Sequence, residues 1–127
     1  MSTRSDARPH LDKAEEYLES ARLVLAHGSY NAACSLAVTS GINSKDVICL
    51  LSVGHTNKSD NHDKAVEELR RSGPVGQGVA PTMGKLLSKK TKSQYLGPSV
   101  TVADADAAVK RAERLFGVAK ELFNSTK

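Results

Sequence analysis

Apolar side chains return every three or four residues along almost the whole chain, and this spacing constrains the fold more than any other property of the sequence. Between His10 and His27, Leu11, Ala14, Leu18, Ala21 and Leu25 mark one stripe, with Tyr17 and Val24 beside it. A period near 3.6 places such residues on one face of an amphipathic helix. Glu15, Glu16 and Glu19 lie toward its positive end, and Gly28 is a natural stop. Residues 1–9, ending in Pro9, read as a flexible N-terminal tail.

The same reading continues downstream. Ser29 can cap a second helix from Tyr30 to Val53, closed by Gly54. Its face of Tyr30, Ala33, Ala37, Gly41, Ser44, Ile48 and Leu51 is mostly small, which lets a neighbouring helix come close. Gly41, Asn43 and Ser44 are weak helix formers and suggest a kink. The run Val47–Leu51 predicts burial on both sides. A polar linker, Gly54–His62, leads to a third helix capped by Asp60 or Asn61, with Ala65, Val66 and Leu69 inward, ending before Ser72. The glycine- and proline-rich stretch Ser72–Pro81 reads as a loop. A fourth helix is expected from Thr82 to Leu96, and Gly97 and Pro98 break it. Thr101 caps a last helix, Ala103–Phe123, whose inner face carries Ala105, Ala108, Val109, Ala112, Leu115, Phe116, Ala119 and Leu122. No alternating stretch longer than Pro98–Val102 suggests a strand. The fold class is therefore all-α: an antiparallel up-and-down bundle of four to five helices, built as a single domain from 127 residues.

Composition agrees, with 39% apolar and 25% charged residues. No uninterrupted apolar run approaches the roughly 20 residues of a membrane span, and the polar start has no signal-peptide core, so a cytoplasmic protein is expected. Cys34 and Cys49 are too few for a disulfide scaffold and lack ligand spacing, and are read as buried small hydrophobes.

Charge is uneven. Residues 1–80 hold 9 basic and 10 acidic side chains, whereas residues 81–127 hold 9 and 4. The basic excess falls on Lys85, Lys89, Lys90 and Lys92, then Lys110, Arg111 and Arg114. Such a surface attracts anions, nucleic acid included, although a solvated helix face has the same composition.

Residues that could carry chemistry gather in the linker: His55, Lys58, Asp60, Asn61, His62 and Asp63. These are the right atoms for a metal, but the spacing matches no strong signature, and helix capping explains the acidic and amide members. No metal and no cofactor is implied. The sequence has no nucleophile elbow, and Gly73, Gly76 and Gly78 follow no strand, so a phosphate loop fails on context.

The order of Ala14, Tyr17, Leu18, Ala21 and Leu25, then Tyr30, Ala33 and Ala37, resembles the HEPN superfamily of helical nucleotide-binding domains. So do His62-Asp63 with Val66 and Leu69, the basic-aromatic segment Lys92–Tyr95, and Asp104-Ala105 or Asp106-Ala107 at the head of an alanine-rich last helix. The resemblance spans residues 10–123. It implies a homodimer through the first, second or last helix. It also implies one of two functional classes. The first comprises metal-independent ribonucleases, with an arginine, four to six intervening residues, then a histidine. Arg22 and His27 have that spacing but lie at the end of the first helix, and Leu23 stands where a polar residue is usual. At the matching place, Lys58 precedes His62 and no arginine occurs; lysine lacks the paired donors of guanidinium. His62 is then the sole catalytic candidate, as a general acid–base. The second class is non-catalytic: it binds nucleotide or RNA, or partners a minimal nucleotidyltransferase. This class fits the sequence better. Its ligand-binding groove would be lined by Lys58, His62, Lys89, Lys92 and Tyr95, with Tyr95 either stacking on a base or anchoring a helix end. A purely structural interaction bundle, antitoxin-like or accessory, is the remaining alternative.

Overall fold

The computed structural model describes residues 3–57, 62–88 and 100–126. Five helices run up and down in it: α1 (Thr3–Ala26), α2 (Tyr30–Val53), α3 (His62–Arg71), α4 (Pro74–Leu86) and α5 (Val102–Ser125). No strand occurs among the described residues.

α2 is the central element, because small side chains let its neighbours close around it. Ala33, Ala37, Gly41, Ser44, Val47, Ile48 and Cys49 are all buried. At Gly41, α4 and α5 approach closely: a Cβ there would collide with the Leu86 side chain and touch Leu115. The serines of α2 are also part of the core. Ser40 Oγ donates to the Ala14 carbonyl of α1 at 2.7 Å, which satisfies a hydroxyl that would otherwise be costly to bury. By length and composition α2 could cross a membrane, yet 61% of its most apolar stretch is buried against the other helices. Lys45 and Asp46 interrupt that stretch.

The helix ends follow the punctuation at α2 and α5. Gly54 takes the left-handed conformation after Val53, and its N–H returns to the Leu50 carbonyl. Thr101 and Asp104 form a reciprocal capping box on α5. Cys34 and Cys49 are buried free thiols.

Two boundaries differ from the sequence reading. Residues Thr3–Pro9 are not a tail but the first turns of α1. Ala7 is fully buried, and the Arg4 guanidinium lies 4.0 Å from the Phe123 ring centre while its Nε donates to the Phe123 carbonyl. These contacts with α5 extend the helix through Pro9. The stretch expected to be a loop, Ser72–Pro81, mostly belongs to α4, which starts at Pro74. Proline suits a first helical position because its missing N–H would have no partner there. Gly76 then lets the first turn press onto the Leu69 carbonyl and Ser72 hydroxyl, where any Cβ would clash. Burial of Val79, Ala80 and Met83 outweighs the poor local propensity. α4 ends at Leu86, and the rest of the expected fourth helix, residues 89–96, lies outside the described residues.

Candidate functional site

The densest polar cluster with described side chains is a buried ionic junction where α1, α2, α3 and the Gly54–Asn57 strap meet. Lys45 is 2% exposed although it is a lysine. Its ammonium lies 2.6 Å from Glu68 Oε1 and 2.6 Å from Asp46 Oδ1, and also donates to Thr56 Oγ1 and the Asn57 carbonyl. Thr56 in turn donates to Asp46 Oδ1 at 2.7 Å, and the Asn57 N–H donates to Glu68 Oε2 at 2.8 Å. On the α1 side, His10 Nδ1 stands 3.6 Å from Asp46 Oδ2 and 3.4 Å from Asn43 Oδ1.

Burial by itself disfavours a charged ammonium, but the hydrogen bonds to Asp46 and Glu68 and their negative charges outweigh it and raise the Lys45 pKa. Lys45 is thus a fixed cation, saturated with partners, and not a proton donor or nucleophile. One turn further along α2, burial first and the charge of Glu68 next push the Cys49 thiol up to about 12. Burial and Asp104 likewise raise Cys34. Neither thiol is poised to react. The junction fixes the strap against α2 and α3.

A cleft of about 400 Å³ opens outside this junction, lined by His55, Asn57, Lys64, Glu67, Arg71 and Ser72 among others. Both carboxylates on its wall are engaged: Glu67 by Arg70 at 2.7 Å and Arg71 at 3.0 Å, and Glu68 by Lys45 and Asn57. Its wall thus carries Lys64 and Arg71 together with Glu67 and Glu68, and Arg71 is already paired with Glu67.

Of the residues singled out from the sequence, His62 opens α3. Its side chain, and Lys58, Lys89, Lys92 and Tyr95 altogether, lie outside the described residues. Arg22 is held by Glu113 of α5 at 2.8 Å, so its guanidinium is engaged in a bridge between helices. Among the described residues no group of three or more metal-ligating side chains converges. The expected contribution of Lys110, Arg111 and Arg114 to a basic flank needs correction. α5 carries four cations, these three and Lys120, and four anions, Asp104, Asp106, Glu113 and Glu121. Lys110 is paired with Asp106 at 3.0 Å. The surplus positive charge of the last third therefore lies off α5, in Lys85, Lys89, Lys90 and Lys92, with Lys127 at the end.

The Lys45–Asp46–Glu68 junction escaped sequence reasoning. Its signal was a Lys-Asp pair set immediately before the apolar run Val47–Leu51, on a helix with no outward face at that point. No family model matches the chain, and neither the curated proteins nor the solved structures contain a match to it.

Proposed function

We propose that the protein is a non-catalytic, HEPN-like helical module that binds nucleotide or single-stranded nucleic acid electrostatically. One observation carries this reading: with α5 neutral in sum, the basic surplus condenses into the short segment Lys85–Lys92, beside Tyr95. Lysines close together in sequence raise the local density of positive charge available to a phosphate. Lys58 and His62, in the linker, join Lys89, Lys92 and Tyr95 as the proposed ligand contacts. A module of this kind would also suit the role of accessory partner to a small nucleotidyltransferase.

The test is fluorescence anisotropy of a labelled single-stranded RNA. Affinity should fall with added salt, with a log–log slope of about −0.7 per phosphate neutralised. Lys89→Glu/Lys92→Glu should weaken binding about tenfold or more, since each lost contact becomes a repulsion. Salt-independent binding, or none at low salt, refutes the reading. The RNA should be recovered intact; cleavage that disappears in His62→Ala would instead establish a ribonuclease.

A further inference from the structure

Between the start of α4 and the end of α5 the surface is concave, a groove of about 380 Å³ with Val75 of α4 and Val118 and Leu122 of α5 among its apolar walls. Val75 is 37% exposed and the other two are half-buried, so these walls face solvent. Gly78 lines the same groove from the α4 side and is exposed. A Cβ there would meet nothing within 4 Å. Glycine is a poor helix former, and no packing among the described residues requires it at this position. What it does is leave the groove open.

The charges on the rim define what fits. Lys110 and Glu113 of α5 are matched within the chain, by Asp106 at 3.0 Å and by Arg22 at 2.8 Å. Arg114 and Glu121 both line the groove, are exposed, and have no ion-pair partner among the described residues. They stand seven residues apart, two helical turns with a rise of about 10.5 Å, and Val118 lies between them on the same face. A helix laid along the groove repeats that spacing: its residues i and i+7 meet the two charges, while i+3 and i+4 meet the valine between them. A second copy related by a two-fold axis has the wrong shape, because it presents the same concavity to the groove. A copy that inserted some other surface would make a head-to-tail contact, which ends only as a ring or a filament. We propose that the α4–α5 groove docks an amphipathic helix of a different protein. That helix carries an acidic residue against Arg114, a basic residue seven positions away against Glu121, and apolar residues between them. The proposal is independent of the nucleic-acid reading, because none of these residues belongs to the proposed ligand contacts.

Fluorescence anisotropy with labelled, alanine-rich helical peptides tests it. The first peptide carries a glutamate, leucines three and four residues later, and a lysine at the seventh. The second has lysine at both charged positions. The parent should bind the first about tenfold or more tighter, because the second sets a lysine against Arg114. Arg114→Glu should reverse that preference. Gly78→Leu should fill the groove and abolish peptide binding, with far-UV circular dichroism showing unchanged helix and RNA affinity equal to the parent's. Sedimentation velocity of the protein alone checks for the competing occupant: self-association that Gly78→Leu abolishes would mean that a second copy fills the groove, and would overturn the proposal. So would a parent that binds neither peptide, a preference that Arg114→Glu leaves in place, or peptide binding indifferent to Gly78→Leu.

Discussion

Lys45 of α2 and Glu68 of α3 meet at 2.6 Å across 23 residues of sequence, with the lysine almost wholly out of solvent. The pair joins the central helix to the element that follows the polar linker, and the Glu68 carboxylate also holds the Asn57 N–H. Each charge is tolerable only because the other is present. That dependence makes the junction the most sensitive electrostatic feature of the described structure.

Replacing Lys45 with methionine keeps most of the packing volume but leaves Asp46 and Glu68 buried without a countercharge. The expected loss is about 3–5 kcal/mol, the range for breaking one side of a buried pair. Urea denaturation at neutral pH measures it. Lys45→Met/Glu68→Gln should recover part of the loss, since the second change removes one stranded anion. A Lys45→Met protein within about 1 kcal/mol of the parent would show that solvent already screens the junction.

Alkaline solution should destabilise the fold through Lys45 and the two buried thiols, Cys49 and Cys34, all acting in the same direction. The folded-state pKa of Lys45 is raised, so its stabilising charge is fully present below the ordinary value of 10.5 and is lost as pH climbs through the folded value. Cys49 stays protonated in the native state up to about 12, whereas the unfolded thiol ionises near 9.0. Over that interval the unfolded chain holds fewer protons, so stability falls as pH rises. Denaturation midpoints compared between about pH 8 and about pH 11 should decline, and Cys49→Ala should shallow the decline. A flat profile would contradict these assignments.

The parts of the fold that local chemistry specifies were legible from the residues alone. Tyr30 and Val53 bound α2 as expected because Gly28 and Gly54, both at positive φ, interrupt a sustained 3.6-residue period, although the Ser29 side chain makes no cap hydrogen bond. Thr101 caps α5 for the same local reason. α4 was not legible, because Gly76, Gly78 and Pro81 are poor helix formers and only burial of Val79, Ala80 and Met83, together with docking of the first turn on Leu69 and Ser72, makes the helix favourable. Nor was the start of α1, since Ala7 and Arg4 become meaningful only once Phe123 is brought alongside. The ionic junction was hidden in a similar way: Lys45 and Asp46 stood out within an apolar helix, but no spacing rule pairs them with Thr56 and Glu68 on separate elements.

Thiol chemistry should report global unfolding. Cys34 and Cys49 are both buried with raised pKa values, so little thiolate is present and reagent cannot reach either sulfur. A disulfide-exchange reagent at about pH 8 should modify the native protein no faster than it unfolds, and both thiols promptly in denaturant. Fast reaction of one thiol under native conditions would mean that its end of α2 opens locally.

Two glycines of α4 should respond to alanine with opposite signs. At Gly84 a new methyl meets nothing within 4 Å, so Gly84→Ala gains only from helix propensity and should stabilise by about 0.5–1 kcal/mol. At Gly76 the methyl would overlap the Leu69 carbonyl and the Ser72 hydroxyl, which donates to that carbonyl at 2.7 Å. Backbone cannot yield as a side-chain tip can, so α4 must lift from α3. Gly76→Ala should therefore lose about 2–3 kcal/mol, in the range of overpacking, despite the same gain in propensity. Thermal melts of the two variants against the parent give the comparison. Similar, small stabilisation in both would mean that α4 does not dock on the end of α3 through Gly76, and the packing that accounts for a helix over so many glycines and prolines would be wrong.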